Sequence, residues 1–357
     1  MFMIETHVFN ALLIPEVRKQ TFFVILTFIN GLVAPSFTFC AGFALAITLQ
    51  RKWDDYINLQ YPFWRYLLRL FFILIVAYTL HLPAFSLSYM LTPERLNNWQ
   101  SFFQSDILHV ISLTLFASVL LVVILRKRMV FDYVIGLITL FLIFFAPFFR
   151  EMNYTEYPIW LRPYFSAHYK SQFPIFPWSA FLLSGLLIGS WILKYFSDPK
   201  KLRVVVGIAA IATILISLLV EALPFYLYPS HNFWKASPEF FFVRLGLVCL
   251  LLASCWYVEY VPAGKFRKAI ALFGTESLLV YVVHLLIVYG HTFSWSLIRI
   301  FGKTLTYFEC FLVTVGLVIA MYIMALGWSY LKRWNKRVAL GVQYATLGAI
   351  AIRFLIG

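Results

Sequence analysis

Histidine, carboxylate and amide groups are expensive in hydrocarbon. Where they interrupt apolar helices they mark the positions able to do chemistry. His7 leads them here, two residues after Glu5 and three before Asn10, so that Asn10 shares its helical face. An imidazole titrating near about pH 6.5 suits proton transfer, and His7 fits a general base or a covalent carrier. It fits equally a hydrogen bond bridging two helices. Asn30 interrupts the next apolar run, within Phe28-Ile29-Asn30-Gly31-Leu32-Val33-Ala34-Pro35-Ser36. Asp106 and His109 stand three apart at a helix start. There the aspartate either caps the helix or orients the imidazole as a couple. Ser277, Tyr281 and His284 fall on one stripe of a late helix. Glu276 lies at the far end of that helix and reads as structural. Arg65 and Arg69, four apart, read either as a topology signal or as a paired guanidinium site for phosphate. Arg244 lies inside a span and reads as snorkelling to the interface.

The elements that must position these groups are membrane helices. The chain is 62% hydrophobic and 12% charged, against roughly 45–50% and about 25% in soluble domains. A net charge of +14 would suggest nucleic acid in a soluble protein. Here the basic residues fall in short loops, so they report topology and no nucleic-acid partner is expected. Cys40, Cys249, Cys255 and Cys310 lie in apolar stretches without metal-ligand spacing, and read as buried structural thiols. No metal site is expected. The sequence lacks a Walker glycine loop, HExxH, CxxC and GxSxG, which leaves ATP-driven transport, zinc hydrolysis and elbow-type serine hydrolysis without support.

Apolar runs near 22–48, 65–83, 106–125, 130–149, 174–195, 204–224, 238–258, 269–291 and 306–331, with a stub at 1–14, predict an all-α polytopic bundle of about ten helices forming a single domain over 1–357. A further run at 338–357 reads as a partial or surface helix. The stub is shorter than the roughly 20 residues a span needs, so the first helix is expected to be truncated. Basic residues gather in alternate loops, at Arg51-Lys52, Arg126-Lys127-Arg128, Lys200-Lys201, Lys265 to Lys268 and Lys332 to Arg337. That bias puts these loops and the N-terminus in the cytoplasm. All seven histidines (His7, His81, His109, His168, His231, His284 and His291) then fall outside or in the outer halves of helices. At a rise of about 1.5 Å per residue, His7 and His284 lie roughly 10 Å deep, Asn30 roughly 12 Å and His109 roughly 5 Å. One outer polar layer is expected to hold all four.

Several patches, in order, resemble a known family. Asn30 through Gly42 resembles the second-helix signature of the heparan-α-glucosaminide N-acetyltransferase-like family and its bacterial relatives. Asp106-Ile107-Leu108-His109 resembles its fourth-helix start, Phe173 to Trp178 with Gly185 and Gly189 its sixth-helix motif, and Gly274 to His284 its late helix. The resemblance implies a membrane acyltransferase that moves an acyl group, acetyl by analogy, from cytoplasmic acyl-CoA to an extracytoplasmic sugar. It implies a multi-pass protein of the bacterial inner membrane, with membrane lipid around it and acyl-CoA as co-substrate but no resident cofactor. In related type-3 membrane acyltransferases a histidine stands late in the first helix, where His7 stands. Their third helix opens with R-x-x-R, which Arg65-x-x-x-Arg69 exceeds by one residue. The animal enzyme's histidine before Asn-Gly-Leu has no counterpart between Leu26 and Ile29. By this reading His7, Asn10, Asn30, Asp106, His109 and His284 are the catalytic set, and Arg65 and Arg69 hold CoA phosphates. A transporter or flippase for a glycan-linked or anionic substrate, and an inactive truncated relative, are the alternatives.

Overall fold

The computed structural model describes residues 1–82, 86–92, 99–196, 198–224, 228, 233–257, 264–290 and 295–356. Arg95, His231 and His291 lie outside them, as does the side chain of Lys235. Among the described residues the long elements are α1 (Phe2–Leu12), α2 (Thr21–Asn30), α3 (Val33–Ile57), α4 (Tyr61–Leu80), α5 (Ile107–Leu125), α6 (Arg128–Phe144), α7 (Ile175–Tyr195), α8 (Pro199–Glu221), α9 (Pro238–Cys255), α10 (Lys265–Thr275), α11 (Ser277–Tyr289), α12 (Tyr307–Trp334) and α13 (Lys336–Ile356). Among the described residues eight helices are long and apolar enough to cross a membrane, α2 and α3 counting as one, and a bent pair makes up to nine. The protein is an all-α, multi-pass integral membrane protein.

Two of the expected spans, and the run at 338–357, take a different form. The run at 269–291 is not straight, because α10 and α11 meet at an 80° bend around Glu276. Glu276 is buried there and ion-pairs with Lys332 of α12. The carboxylate has left the helix axis for its cation, which explains a polar residue at the corner. The run at 130–149 stops as a helix at Phe144, and a six-residue helix, Ala146–Glu151, follows. Pro147 cannot donate to the carbonyl four residues back, so α6 cannot run through it. The run at 338–357 forms a full 21-residue helix. Asn335 accepts from the backbone N–H groups of Arg337 and Val338, a cap that starts the helix before its apolar run begins.

The chain forms two compact units, 1–33 with 82–99 and 261–357, and 34–81 with 100–260. In the first, Ile4, Val8 and Leu12 of α1 pack on Val280 and Val288 of α11 and on Leu317 and Met321 of α12. The end of α1 is pinned by backbone hydrogen bonds, Ile14 N–H to Leu305 C=O and Leu305 N–H to Leu12 C=O, each 3.0 Å. These contacts fix which face of α1 meets α11. Replacing Lys332 by methionine is expected to cost about 1–3 kcal/mol, the price of leaving Glu276 buried without its charge partner. Thermal unfolding in detergent reads this, and an unchanged midpoint would show that the pair contributes nothing.

In the second unit, Phe39 of α3, Ile192 of α7, Leu202 and Val206 of α8 and Val248 of α9 form the core. Cys249 and Cys310 are buried as expected, but Cys40 and Cys255 are exposed. Lipid-facing and core-facing positions of a membrane helix are equally apolar, so the sequence context does not separate them.

Candidate functional site

The packing of α1 on α11 brings His7 to His284. Their ring centroids lie 5.3 Å apart, tilted by 51°. His284 is fully buried, and its Nδ1 lies 2.7 Å from the carbonyl of Val280, one turn back on the same helix. A carbonyl only accepts, so Nδ1 carries the hydrogen and Nε2 of the neutral ring carries the lone pair. That Nε2 is buried and has no hydrogen-bond partner among the described residues. A hydrogen bond inside the helix has thus fixed the tautomer and aimed a base. Tyr281, three residues earlier, packs edge-on against the same imidazole at 5.8 Å.

His7 is held differently. Its Nδ1 lies 3.2 Å from the hydroxyl of Tyr289, and the two rings meet edge-on at 5.7 Å. The expected neighbours of His7 are elsewhere. Asn10 is exposed, and its backbone carbonyl takes a guanidinium N–H of Arg18 at 2.9 Å. Asn30 donates its amide to Oε1 of Glu5 at 3.2 Å. Residues two apart on a helix do not face each other, so Asn30 belongs to Glu5 and not to the His7 ring. Oε2 of Glu5 and Oδ1 of Asn30 are buried without a hydrogen-bond partner among the described residues.

In the second unit, Asp106 caps α5. Its Oδ1 accepts from the Ile107 N–H at 2.5 Å, and the Asp106 N–H donates to Nδ1 of His109 at 3.2 Å. The capping alternative therefore holds, and the carboxylate's imidazole partner is His81, with Nε2 3.5 Å from Oδ2. Because Nδ1 of His109 accepts, its neutral ring keeps the hydrogen on Nε2, which is buried without an acceptor among the described residues. His109 thus presents a donor where His284 presents an acceptor. The ring of Tyr78 meets His109 edge-on at 4.4 Å, and its hydroxyl bonds Tyr164 at 2.6 Å. Burial, then the Tyr78 hydroxyl, pushes the Tyr164 phenol well above its ordinary value, so it stays protonated. Arg65 and Arg69 are exposed on one face near the start of α4.

Residues 1–232 match the family described as heparan-alpha-glucosaminide N-acetyltransferase, catalytic. The chain belongs to that family. No curated protein and no solved structure matches it. The N-acetyltransferase match covers His7, Asn10, Asn30, Arg65, Arg69, Asp106 and His109, while His284 and Tyr289 lie beyond it. Membership in this acetyltransferase family therefore says nothing of the imidazole that geometry orients best. Sequence reasoning missed Tyr289 and the His81–Asp106 pair. Tyr289 sits five residues beyond His284, off its stripe, and only the docking of a helix 282 positions away reveals its role. His81 ends α4, where it reads as an ordinary interface residue.

Proposed function

We propose that the protein is a membrane acyltransferase that moves an acyl group, acetyl in the first instance, from cytoplasmic acyl-CoA to an extracytoplasmic carbohydrate. The N-terminus is cytoplasmic in this reading, and the membrane is the bacterial inner membrane. The observation that carries it is the His284 Nε2 lone pair, buried beside His7 and fixed by the Val280 carbonyl. In the reaction, His284 takes the proton from the acceptor hydroxyl or amine. The acceptor atom bonds to the thioester carbonyl carbon, the C–S bond breaks, and CoA leaves as the thiol once the proton reaches its sulfur. His7, held by Tyr289, is the second imidazole of the pair, passing the proton on or carrying the acyl group transiently. In the second unit Asp106 orients His81 and the start of α5, where His109 presents its Nε2–H as a donor. Arg65 and Arg69 hold the CoA phosphates.

The test is transfer of label from acetyl-CoA to a sugar acceptor by membranes containing the protein. Wild type is expected to transfer, and His7→Ala to lose transfer at an equal membrane level. Full activity of His7→Ala would remove His7 from the mechanism. The broken helix at Glu276 is a feature transporters share, and substrate movement without acyl-CoA would favour that reading.

A further inference from the structure

Helix α9 carries a cation with no counter-charge among the described residues. Arg244 stands six residues after Pro238, and its guanidinium carbon lies 4.1 Å from the ring centroid of Phe240 and 5.8 Å from that of Trp178. Those rings engage the guanidinium through their π-faces and leave its N–H donors uncommitted. Among the described residues Arg244 has no hydrogen bond and no ion pair, whereas the nearest carboxylate on its own helix is engaged elsewhere. Glu239 accepts from Ser237 Oγ at 2.7 Å and from the Tyr228 hydroxyl. The N-terminus of α9 is closed as well, since Ser237 Oγ accepts from the Phe240 N–H and Pro238 has none to offer.

Arg244 also lines a recess with Pro177, Trp178, Phe181, Ser237 and Phe241. The recess is shallow and open at its mouth, where Arg244 is its charged wall. Its walls are aromatic and its one charge is a forked donor set, which matches the geometry of a two-oxygen acceptor. We propose that this recess binds a single oxyanion group, a phosphate, sulfate or carboxylate, with Arg244 as its ligand. A soluble anion and a phospholipid headgroup share that chemistry, and the experiment separates them.

The full chain, purified in detergent, is titrated with sodium sulfate against sodium chloride at matched ionic strength, with the thermal midpoint as readout. In a second arm the protein is placed in phosphatidylcholine nanodiscs with and without phosphatidylglycerol, and retained lipid is counted by native mass spectrometry. Wild type is expected to show a saturable sulfate response or a retained phospholipid, and the arm that responds names the source. Arg244→Gln is expected to weaken the responding interaction roughly tenfold or more, the loss of a charged hydrogen-bonding partner. Arg244→Lys keeps the charge but not the fork and is expected to fall between the two. Equal behaviour of wild type and Arg244→Gln in both arms overturns the proposal. If the glutamine variant does not fold, Arg244→Lys decides, and its equality with wild type in both arms overturns the proposal too.

Discussion

His284→Ala lowers acyl transfer by about 10²–10⁴-fold, the range for loss of a positioned general base, and leaves the protein in the membrane. The expectation rests on the tautomer. With Nδ1 bound to the Val280 carbonyl at 2.7 Å, Nε2 is the only atom of this ring able to take a proton, and no described residue occupies it. A buried imidazole kept for packing alone would gain from a donor at Nε2, since an unpaired polar atom in the interior costs free energy. Leaving it bare makes sense if the substrate supplies the missing hydrogen. Alanine also opens a cavity beside His7, so loss of activity alone is ambiguous. The deciding readout is rescue: imidazole added to the His284→Ala protein should restore part of the rate by filling the cavity with a base. Transfer that is undiminished in the variant, or lost transfer with lost folding and no rescue, would remove His284 from the catalytic role.

Helical period carries part of this site in the sequence, and tertiary packing carries the rest. The polar stripe of Ser277, Tyr281 and His284 is visible because helical period alone puts those residues on one face. Period does not show that the helix is broken just before Ser277, since Glu276 turns aside for a lysine more than fifty residues on. The sequence gives His7 and His284 only a common depth in the membrane, and depth does not select partners. Depth puts Asn30 beside them as well, whereas rotation about the helix axes gives Asn30 to Glu5. His109 has its own contacts within the second unit, with Asp106, Tyr78 and His81. Tyr289 and the engaged Glu239 are legible only from tertiary packing. The all-α membrane architecture, by contrast, follows from hydrocarbon leaving the backbone no hydrogen-bond partner but itself.

Gly185→Leu is expected to prevent folding altogether, and Gly185→Ala to destabilise the protein by at least about 3 kcal/mol, the upper range for overpacking. Helices in lipid gain little from hiding apolar surface and associate through close contact, which small residues permit. Here α3 and α7 approach reciprocally. A Cβ on Gly185 would lie 2.0 Å from the carbonyl oxygen of Phe39, and one on Gly42 would lie 1.8 Å from that of Leu182. One turn on, a Cβ on Gly189 would come within 2.9 Å of the Ala46 methyl. The first two obstructions are backbone atoms, so no rotamer change relieves them and the helices themselves must separate. Separation would also move Phe39 out of the core it shares with Ile192, Val206 and Val248. The internal control is Gly207 on α8, where an added Cβ meets nothing within 4 Å. Gly207→Ala should be neutral or stabilising by up to about 1 kcal/mol, because alanine is the better helix former. Thermal midpoints and monodisperse yield in detergent compare the variants directly. Wild-type stability in Gly185→Ala would mean that α3 and α7 do not meet through these glycines.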